Sequence, residues 1–397
     1  MERSLLAQAL GAHGPAPGGG VVIEESDPLR FMAAFAAACS GRGEVFLADP
    51  AWRRTERQGL ATGADAGPPG EDGWLMIPSG GSSGCVKFAR HDARTLSAAV
   101  RGFQAHFGLG RVNAVGVLPL CHVSGLMAWL RCALTEGRYI PWAWQDLQEG
   151  RFPEGVPDDC CLSLVPTQLQ RLLSRPQAAD WLGRFRIVFL GGAPAGAALL
   201  DRAAELGIRL STGYGATETA AMAAALLPEE FLGGARGAGA ALPHARITVD
   251  GGIISVSGES IHRGYHPARS ESRTWVSGDL GAIVPRGGLQ VIGRADDMIV
   301  TGGKKVSPAE VEEALLSGGA FADVAVLGLP DEAWGQSVVA CHPAGAPPDK
   351  SKVEAALLGL ASFKHPKRYL AISPWPRNAQ GKIERPELRR LALSVSP

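Results

Sequence analysis

The sequence predicts an α/β protein with a large N-terminal domain of sheets flanked by helices, a short-stranded β subdomain at its end, and a small α+β C-terminal domain. Three observations predict this class. Buried apolar runs alternate with helical patterns from Arg111 onward, hairpin signals replace that alternation near residue 245, and a third pattern begins near Asp296. Strands that alternate with helices indicate a sheet covered on both faces. We therefore expect domains at 1–295 and 296–397.

In the N-terminal part, short apolar runs predict buried strands and a longer periodic run predicts a helix. The predicted strands are 112–118, 187–190 and 208–210, and the predicted helix is 124–134. Two stretches rich in glycine and proline, 14–20 and 61–73, indicate surface loops or linkers.

The β-rich part covers about 240–295 and contains two hairpin signals, in which strand patterns flank glycine-containing turns. Further on, Ser307 and Glu310 form a predicted capping box with Pro308 at the first helical position. The hairpin strands are 246–249 with 253–256 and 282–284 with 289–292, and the C-terminal elements are strands 325–329, 337–341 and 369–372 and a helix at 353–360.

The composition excludes several classes of protein. The chain has 397 residues, of which 46% are hydrophobic and 20% charged, so wholesale disorder is excluded. Lys+Arg and Asp+Glu both number 39, and the zero net charge gives no support for nucleic-acid binding. The 52 glycines and 28 prolines show no three-residue period, which excludes collagen and favours a turn-rich fold.

The cysteine pattern and the hydropathy bear on the compartment. Seven cysteines are scattered without a CxxC pair, so a zinc site or a disulfide framework is not expected and reduced thiols fit better. The N-terminus lacks the pattern of a secretory signal, and no stretch of about 18 apolar residues could form an integral membrane segment. We expect a cytoplasmic protein. The cysteines are Cys39, Cys85, Cys121, Cys132, Cys160, Cys161 and Cys341.

A glycine-rich stretch at 79–87 reads Ser-Gly-Gly-Ser-Ser-Gly-Cys-Val-Lys. Glycines let backbone N–H groups turn toward an anion, serine hydroxyls can donate further hydrogen bonds, and Lys87 can neutralise a phosphate. The chemistry suits a polyphosphate, and the alternative is a flexible surface loop. Because Phe88 stands where a P-loop has Ser or Thr, a P-loop hydrolase is disfavoured.

A second glycine-containing stretch at 211–219 follows the predicted strand 208–210. It offers Tyr214 for stacking on a base, Thr217 for a phosphate oxygen and Glu218 for Mg²⁺. A strand-to-helix turn capped by Thr217 would have a similar sequence, so this stretch alone leaves both interpretations open.

The glycine-rich stretch, with Met76 three positions before Ser79, resembles the AMP-binding signature of the adenylate-forming superfamily of acyl- and aryl-CoA ligases, peptide-synthetase adenylation domains and luciferases. Further family motifs follow in the family's order, and the resemblance covers roughly residues 74–390. These motifs are the adenine-side turn Gly191-Gly192-Ala193-Pro194, Tyr214-Gly215-Ala216-Thr217-Glu218, Ser277-Gly278-Asp279, the hinge region Gly293-Arg294-Ala295-Asp296-Asp297 through Gly302-Gly303, and the C-terminal lysine loop at 376–382.

The resemblance implies a mobile C-terminal domain and an activity in which a carboxylate and MgATP form an acyl-adenylate, whose acyl group then passes to a thiol. It implies ATP, CoA and a small-molecule carboxylate as substrates and Mg²⁺ as cofactor. The implied ATP-binding residues are Ser79, Gly80, Gly81, Ser82, Ser83, Gly84, Lys87, Gly192, Ala193, Tyr214, Gly215, Thr217, Asp279 and Arg294. The implied catalytic residues are Lys382, Thr217 and His122, the metal ligand is Glu218, the hinge is Asp296, and the substrate or CoA contacts are His122, Ser124, Gly302 and Gly303.

Each implied role has an alternative without function. These alternatives are a turn at Asp279, a surface ion pair at Arg294, a solvated basic tail around Lys382, a satisfied buried histidine at His122, an exposed loop at Asp296 and an ordinary turn at Gly302-Gly303. Thr167 and Gln168 are further candidates for the lining of the substrate pocket.

The segment His122-Val123-Ser124-Gly125 matches the CoA-ligase branch, and only 78 residues precede Ser79, so we expect a trimmed N-terminal region. Compact members with this segment are similar to the 2-succinylbenzoate–CoA ligases of menaquinone or phylloquinone synthesis, which implies that substrate. Three alternatives stay open: another aryl- or acyl-CoA ligase, an enzyme that loads a carrier-protein thiol, and a non-catalytic nucleotide-binding regulatory protein.

Overall fold

The protein has a mixed α/β fold with a large N-terminal domain and a smaller C-terminal domain, which confirms the predicted class. The computed structural model describes residues 1–12, 19–52, 57, 60, 72–80, 86–285, 288–345, 348–377 and 383–395. The helices are α1 Arg3–Ala9, α2 Pro28–Ser40, α3 Ala93–Phe107, α4 Val123–Ala133, α5 Trp144–Gln148, α6 Pro166–Leu173, α7 Pro176–Leu182, α8 Ala197–Glu205, α9 Pro228–Leu232, α10 Pro308–Ser317, α11 Lys350–Leu357 and α12 Arg385–Val395.

The first sheet has the order β1-β2-β3-β4, with β1, β2 and β3 parallel and β4 antiparallel to β3. Its mainly aliphatic core includes a group of aromatic rings, in which Phe35 packs edge-on against Trp129, at 5.5 Å between ring centroids, and is also close to Trp74. The hairpin of β3 and β4 carries both ends of the predicted glycine-rich stretch. The strands are β1 Val21–Ile23, β2 Val45–Leu47, β3 Leu75–Gly80 and β4 Val86–His91.

The second sheet has the order β11-β10-β9-β8-β7-β5-β6, and it is parallel from β6 to β9. The predicted strand at 187–190 and the predicted helix at 124–134, observed at Val123–Ala133, are confirmed. The strands are β5 Asn113–Gly116, β6 Tyr139–Pro141, β7 Cys160–Leu164, β8 Ile187–Leu190, β9 Leu210–Ala216, β10 Ala221–Ala225 and β11 Ala240–Ala241.

The predicted strand at 208–210 and the glycine-containing loop after it were wrong. The strand begins at Leu210 and continues through Ala216, because β9 pairs with β8 on one side and with β10 on the other. Gly215 fits this strand because an added Cβ would lie 1.9 Å from the carbonyl oxygen of Ala221. Glycine is therefore required here by the close approach of β10, and not by a turn.

The third sheet is the antiparallel meander β12-β13-β14-β15, and both predicted hairpins are confirmed. The strands extend beyond the predicted runs, so that Asp279 of β14 lies opposite Arg294 of β15. The strands are β12 Ala245–Asp250, β13 Ile253–Gly258, β14 Thr274–Val284 and β15 Gly288–Arg294.

The C-terminal sheet has the order β17-β16-β19-β18, with β20 parallel to β19. Pro308 begins α10 as predicted, but the capping box at Ser307 was wrong. The Ser307 side chain makes no capping bond, and Glu310 is instead paired with Lys364 at 2.5 Å. The strands are β16 Ile299–Thr301, β17 Lys304–Val306, β18 Ala325–Asp331, β19 Gly335–Pro343 and β20 Arg368–Ile372.

The described cysteines are buried free thiols, and Cys85 lies outside the described residues. Within the described part of the chain, no helix has the length and apolar character needed to cross a membrane.

A buried ion pair fastens the first sheet to the segment 264–268. Arg90 in β4 donates from Nη1 to Oε1 of Glu44 at 2.7 Å, and both side chains are nearly inaccessible. The same guanidinium donates to the carbonyl oxygens of Gly73, Pro267 and Ala268. Because its donors are satisfied on both sides, Arg90 holds the later segment against the sheet.

We predict that Arg90→Met lowers the free energy of unfolding by about 3 kcal/mol, because the buried Glu44 carboxylate loses its hydrogen-bonded cation and keeps the more distant Arg269, at 3.9 Å. Urea unfolding followed by tryptophan fluorescence measures the change. The control is Arg94→Met, which removes an exposed pair of Arg94 with Asp72 at 3.8 Å. Equal urea midpoints for the two variants would contradict the prediction.

Candidate active site

The hairpin of β3 and β4 places Ser79 directly across from Lys87. Ser79 and Gly80 end β3, and Lys87 follows the first residue of β4, so both lie in strands at the mouth of the hairpin. The predicted residues Gly81, Ser82, Ser83, Gly84 and Lys382 lie outside the described residues.

Two hydroxyl groups converge on one oxygen of Glu218. Ser79 Oγ and Tyr265 Oη each donate to Glu218 Oε1 at 2.7 Å. Glu218 is 5% exposed, and within the described part of the chain no hydrogen bond reaches its Oε2. Burial, and then the contact with Glu218, raise the pKa of the Tyr265 phenol, so it stays a donor. The site therefore presents one saturated and one available carboxylate oxygen.

Glu218 lies on a single 3₁₀ turn, Thr217–Thr219, that follows β9. Thr217 is the first residue of this turn and not its cap, since its Oγ1 bonds to the carbonyl oxygen of Pro78 at 3.3 Å. His91 Nε2 donates to the Thr217 carbonyl oxygen at 2.8 Å, and His262 N donates to that of Glu218 at 2.9 Å. The turn is thus held through its backbone, and the Glu218 carboxylate is held through its side-chain contacts.

A second cluster joins β9 to the β-rich meander. Tyr214 Oη donates to Asp279 Oδ2 at 2.7 Å, and Arg294 Nη1 lies 3.5 Å from Asp279 Oδ1. Burial raises the pKa of the Tyr214 phenol, which keeps it protonated. Nothing in the motif spacing predicts the bond between Tyr214 and Asp279.

Arg294 connects this cluster to the predicted hinge. Its Nε and Nη2 donate to the two carboxylate oxygens of Asp296, each at 3.0 Å. This bidentate bond to Asp296 raises the pKa of Arg294. Gly278 leaves room for this guanidinium, because an added Cβ would lie 2.5 Å from Arg294 Nη2 and would displace it.

The substrate-side candidates occupy separate elements. His122 precedes α4 and is bonded to Asp49, and Ser124 lies in the first turn of that helix. Gln168 accepts from the backbone N–H of Val165 at 3.0 Å, so its side chain closes the start of α6. Thr167 lies beside it in the first turn of α6. The bond of Gln168 to its own helix supplies a structural reason for that residue.

Glycines in the family motifs occupy backbone conformations that favour glycine. Gly192, with φ +83°, is the second residue after β8, and Ala193 comes next. Gly302 and Gly303 form the two-residue turn between β16 and β17, with φ of +54° and +74°. An added Cβ on Gly302 would lie 2.7 Å from the ring of Trp334. These conformations explain the glycines through the backbone itself.

Three residues that hold the candidate site residues in place were not predicted from the sequence: Asp49, His91 and Tyr265. None belongs to a motif that was singled out, and each acts through a partner distant in sequence. Tyr265 is 47 positions from Glu218 and His91 is 126 from Thr217. Local patterns carry no signal for such contacts.

Comparison with known proteins assigns the family. The family described as AMP-binding enzyme matches residues 6–266, and the AMP-binding enzyme C-terminal domain matches 310–382. The chain belongs to the AMP-binding enzyme family.

Relatives of this AMP-binding enzyme include proteins named 2-succinylbenzoate–CoA ligase. The one from Geobacillus kaustophilus is 33% identical over 70% of this chain, and one from Bacillus cereus is 34% identical over 69%. The matched region covers 60% of the length of each of these relatives.

The fold also matches solved structures. That of o-succinylbenzoate coenzyme A synthetase (MenE) from Bacillus subtilis, in complex with ATP and magnesium ion, has a TM-score of 0.79 at 22% identity. The match covers 97% of this chain and 92% of that one. At this identity the likeness establishes the fold.

The histidine that supports the 3₁₀ turn is held neutral. His91 is completely buried, and burial, followed by the nearby His262, lowers its pKa from 6.5 to about 4. Below about pH 6.5 this histidine is therefore protonated in the unfolded chain, whereas in the folded protein it stays neutral down to about pH 4. The stability that His91 contributes is present above pH 6.5 and is lost as the pH falls toward 4.

We predict that lowering the pH from 7 to 4 decreases the free energy of unfolding of this AMP-binding enzyme by about 3 kcal/mol through His91 alone. His91→Gln keeps a donor for the Thr217 carbonyl oxygen but cannot titrate, so its stability should fall less steeply with pH. Urea midpoints at a series of pH values test this. Parallel pH curves for the two proteins would refute the prediction.

Proposed function

We propose that this protein is an ATP-dependent acid–CoA ligase that acts through an acyl-adenylate. The proposed reaction converts 2-succinylbenzoate, ATP and CoA to 2-succinylbenzoyl-CoA, AMP and diphosphate, as a step in menaquinone or phylloquinone synthesis. The observation that carries the proposal is the convergence of Ser79 and Tyr265 on Glu218. The printed names of the curated relatives support the substrate.

The chemistry explains why such a site is needed. A carboxylate is a poor electrophile because its leaving group would be oxide, and AMP is a far better leaving group. Attack of the carboxylate on the α-phosphorus brings two anions together, so the site must supply positive charge and hydrogen-bond donors. We propose that Lys87 contacts the β- and γ-phosphates and that Thr217 bonds the α-phosphate.

Glu218 is the proposed Mg²⁺ ligand, and its environment fits that role. Hard cations prefer carboxylate oxygens, and Oε2 of Glu218 has no competing hydrogen bond within the described part of the chain. Bound there, Mg²⁺ would neutralise charge on the ATP phosphates. Ser79 and Tyr265 orient the carboxylate by holding its other oxygen.

Asp279 is proposed to accept hydrogen bonds from the ribose hydroxyls, with Arg294 beside it. Tyr214 occupies one lone pair of Asp279 Oδ2 and fixes the orientation of the carboxylate. Gly192 and Ala193, after β8, are proposed to border the adenine, and Gly215 lies beside Tyr214 on β9.

The boundary between the domains is proposed at Asp296, whose carboxylate accepts two hydrogen bonds from Arg294. Movement of the C-terminal domain about this hinge would bring Lys382 to the carboxylate and α-phosphate oxygens for adenylation, and Gly302 and Gly303 toward CoA for thioester formation. His122 and Ser124 are proposed to face the acid and the thiol.

We predict that Lys382→Ala abolishes 2-succinylbenzoate-dependent ATP–diphosphate exchange while ATP binding survives, because the lysine stabilises charge that grows in the transition state. Isotope exchange and equilibrium ATP binding measure the two effects. Lys350→Ala at the exposed start of α11 is the matched control and should leave both intact.

Unchanged exchange in Lys382→Ala would exclude the lysine assignment. Absence of exchange in the unsubstituted protein across a panel of aryl and acyl acids, with AMP still bound, would instead favour a non-catalytic nucleotide-binding protein. Offering CoA and a pantetheinylated carrier protein in parallel identifies the thiol acceptor.

We predict that Tyr265→Phe raises the Mg²⁺ concentration needed for half-maximal exchange by about 10-fold, because the Glu218 carboxylate loses one of its two orienting donors. Exchange at saturating Mg²⁺ should recover most of its rate. Tyr369→Phe, which removes a phenol from β20, is the control. An unchanged Mg²⁺ requirement in Tyr265→Phe would contradict this role.

A further inference from the structure

A buried carboxylate, Asp49, lies against the histidine that precedes α4. The Nε2–H of His122 donates to Asp49 Oδ2 at 3.0 Å, and the two side chains are only 14% and 10% exposed. The other oxygen, Oδ1, accepts from the backbone N–H of Ala51 at 2.9 Å. The bond from His122 lowers the pKa of Asp49. The carboxylate is therefore an ionised acceptor with both oxygens engaged.

This contact determines which ring nitrogen of His122 carries the proton. An ionised carboxylate only accepts hydrogen bonds, so it holds the neutral imidazole with its proton on Nε2 and its lone pair on Nδ1. Within the described part of the chain, no residue bonds to Nδ1. This atom is also absent from the buried polar atoms that lack a partner, so it reaches solvent-accessible space.

An open lone pair at Nδ1 distinguishes between the ligands expected near His122. The carboxylate of the acid and the phosphates of ATP only accept hydrogen bonds, so they gain nothing from a second acceptor. A thiol offers S–H as a donor. The tautomer thus favours a role for His122 in thioester formation over a role in binding the acid.

We propose that Asp49 is a positioning residue that fixes His122 as the acceptor of the thiol proton. The proposal rests on the function proposed above. As the CoA sulfur attacks the acyl carbon, the C–S bond forms and the C–O bond to AMP breaks, with its electron pair leaving on the AMP phosphate. The thiol proton passes to His122 Nδ1, which then returns it to water.

A bound metal ion is the competing explanation for this cluster, because Cys121 lies beside Asp49 and His122 and could be a third ligand. Ligand atoms of Asp49, Cys121 and His122 lie within 4.8 Å of one another. Burial, and then the charge of Asp49, raise the pKa of the Cys121 thiol to about 12, so it stays protonated. The hydrogen bond between Asp49 and His122 already uses one ligand atom of each. The cluster is therefore complete without an ion.

The decisive variant is Asp49→Asn. Its carbonyl oxygen must stay on the Ala51 N–H, because an amide nitrogen cannot accept, and so its NH₂ group faces His122 Nε2. Nε2 must then accept, and the ring proton moves to Nδ1. The substitution inverts the tautomer with little change of shape. Asp27→Asn removes the same charge from an aspartate that also accepts a backbone N–H, at the start of α2, and is the control.

We expect Asp49→Asn to leave 2-succinylbenzoate-dependent ATP–diphosphate exchange within about twofold of the unsubstituted protein. Single-turnover transfer from the preformed adenylate to CoA should slow by about 100-fold or more. Asp27→Asn should change neither rate. Equal slowing of exchange and transfer in Asp49→Asn would overturn the proposal, because a structural defect acts on both half-reactions.

Nitrogen-15 NMR of labelled histidine reads the tautomer without any turnover. We expect His122 to be protonated on Nε2 in the unsubstituted protein and on Nδ1 in Asp49→Asn. A proton on Nδ1 in the unsubstituted protein, or stoichiometric zinc that Asp49→Asn loses, would overturn the proposal. If no acid supports exchange, the proposed function is wrong. The spectrum still tests separately whether Asp49 sets the tautomer of His122.

Discussion

The candidate site depends on a buried carboxylate of which one oxygen accepts two hydrogen bonds and the other is left available. Glu218 has one oxygen saturated by hydroxyl donors from Ser79 and Tyr265 and the other left available. A buried carboxylate is costly unless it is hydrogen-bonded, and a metal ligand must also keep a free lone pair. The arrangement meets both conditions. It requires three segments to meet at one point: the hairpin of β3 and β4 in the first sheet, the turn between β9 and β10 of the second sheet, and the connection between β13 and β14 of the third sheet.

A second buried network, centred on Arg90 and Glu44, holds the segment that carries Tyr265 against the first sheet. Arg90 is paired with Glu44, and its guanidinium donates to the carbonyl oxygens of Pro267 and Ala268, which follow Tyr265. Its backbone N–H donates to the carbonyl oxygen of Gly264, which precedes Tyr265. The phenol of Tyr265 is therefore placed by the backbone that carries it. His91, the next residue of β4, supports the 3₁₀ turn from the opposite side. One strand thus positions both the donor and the carboxylate of the site.

Arg294 links Asp279 of the third sheet to Asp296, the proposed start of the C-terminal domain. Its guanidinium lies near Asp279 and makes a bidentate bond to Asp296, so the same cation serves a proposed ribose contact and a proposed hinge. The side chain is 42% exposed, and at such exposure solvent screens the attraction and keeps the contact exchangeable. An exchangeable contact would suit the proposed hinge, which would open and close in each cycle of the proposed reaction.

The sequence by itself determined the fold class, the hairpins of the β-rich part, the start of α10 at Pro308 and the family. These features depend on neighbours in the chain, such as a turn residue between two strands or a proline before a helix. Only the tertiary structure decided that 210–216 is a strand, that Ser307 does not cap, which donors reach Glu218, and which acceptor His122 bonds. The partners in those bonds are 139, 47 and 73 positions apart. The packing of separate sheets brings them together, and no local pattern in the sequence records that packing.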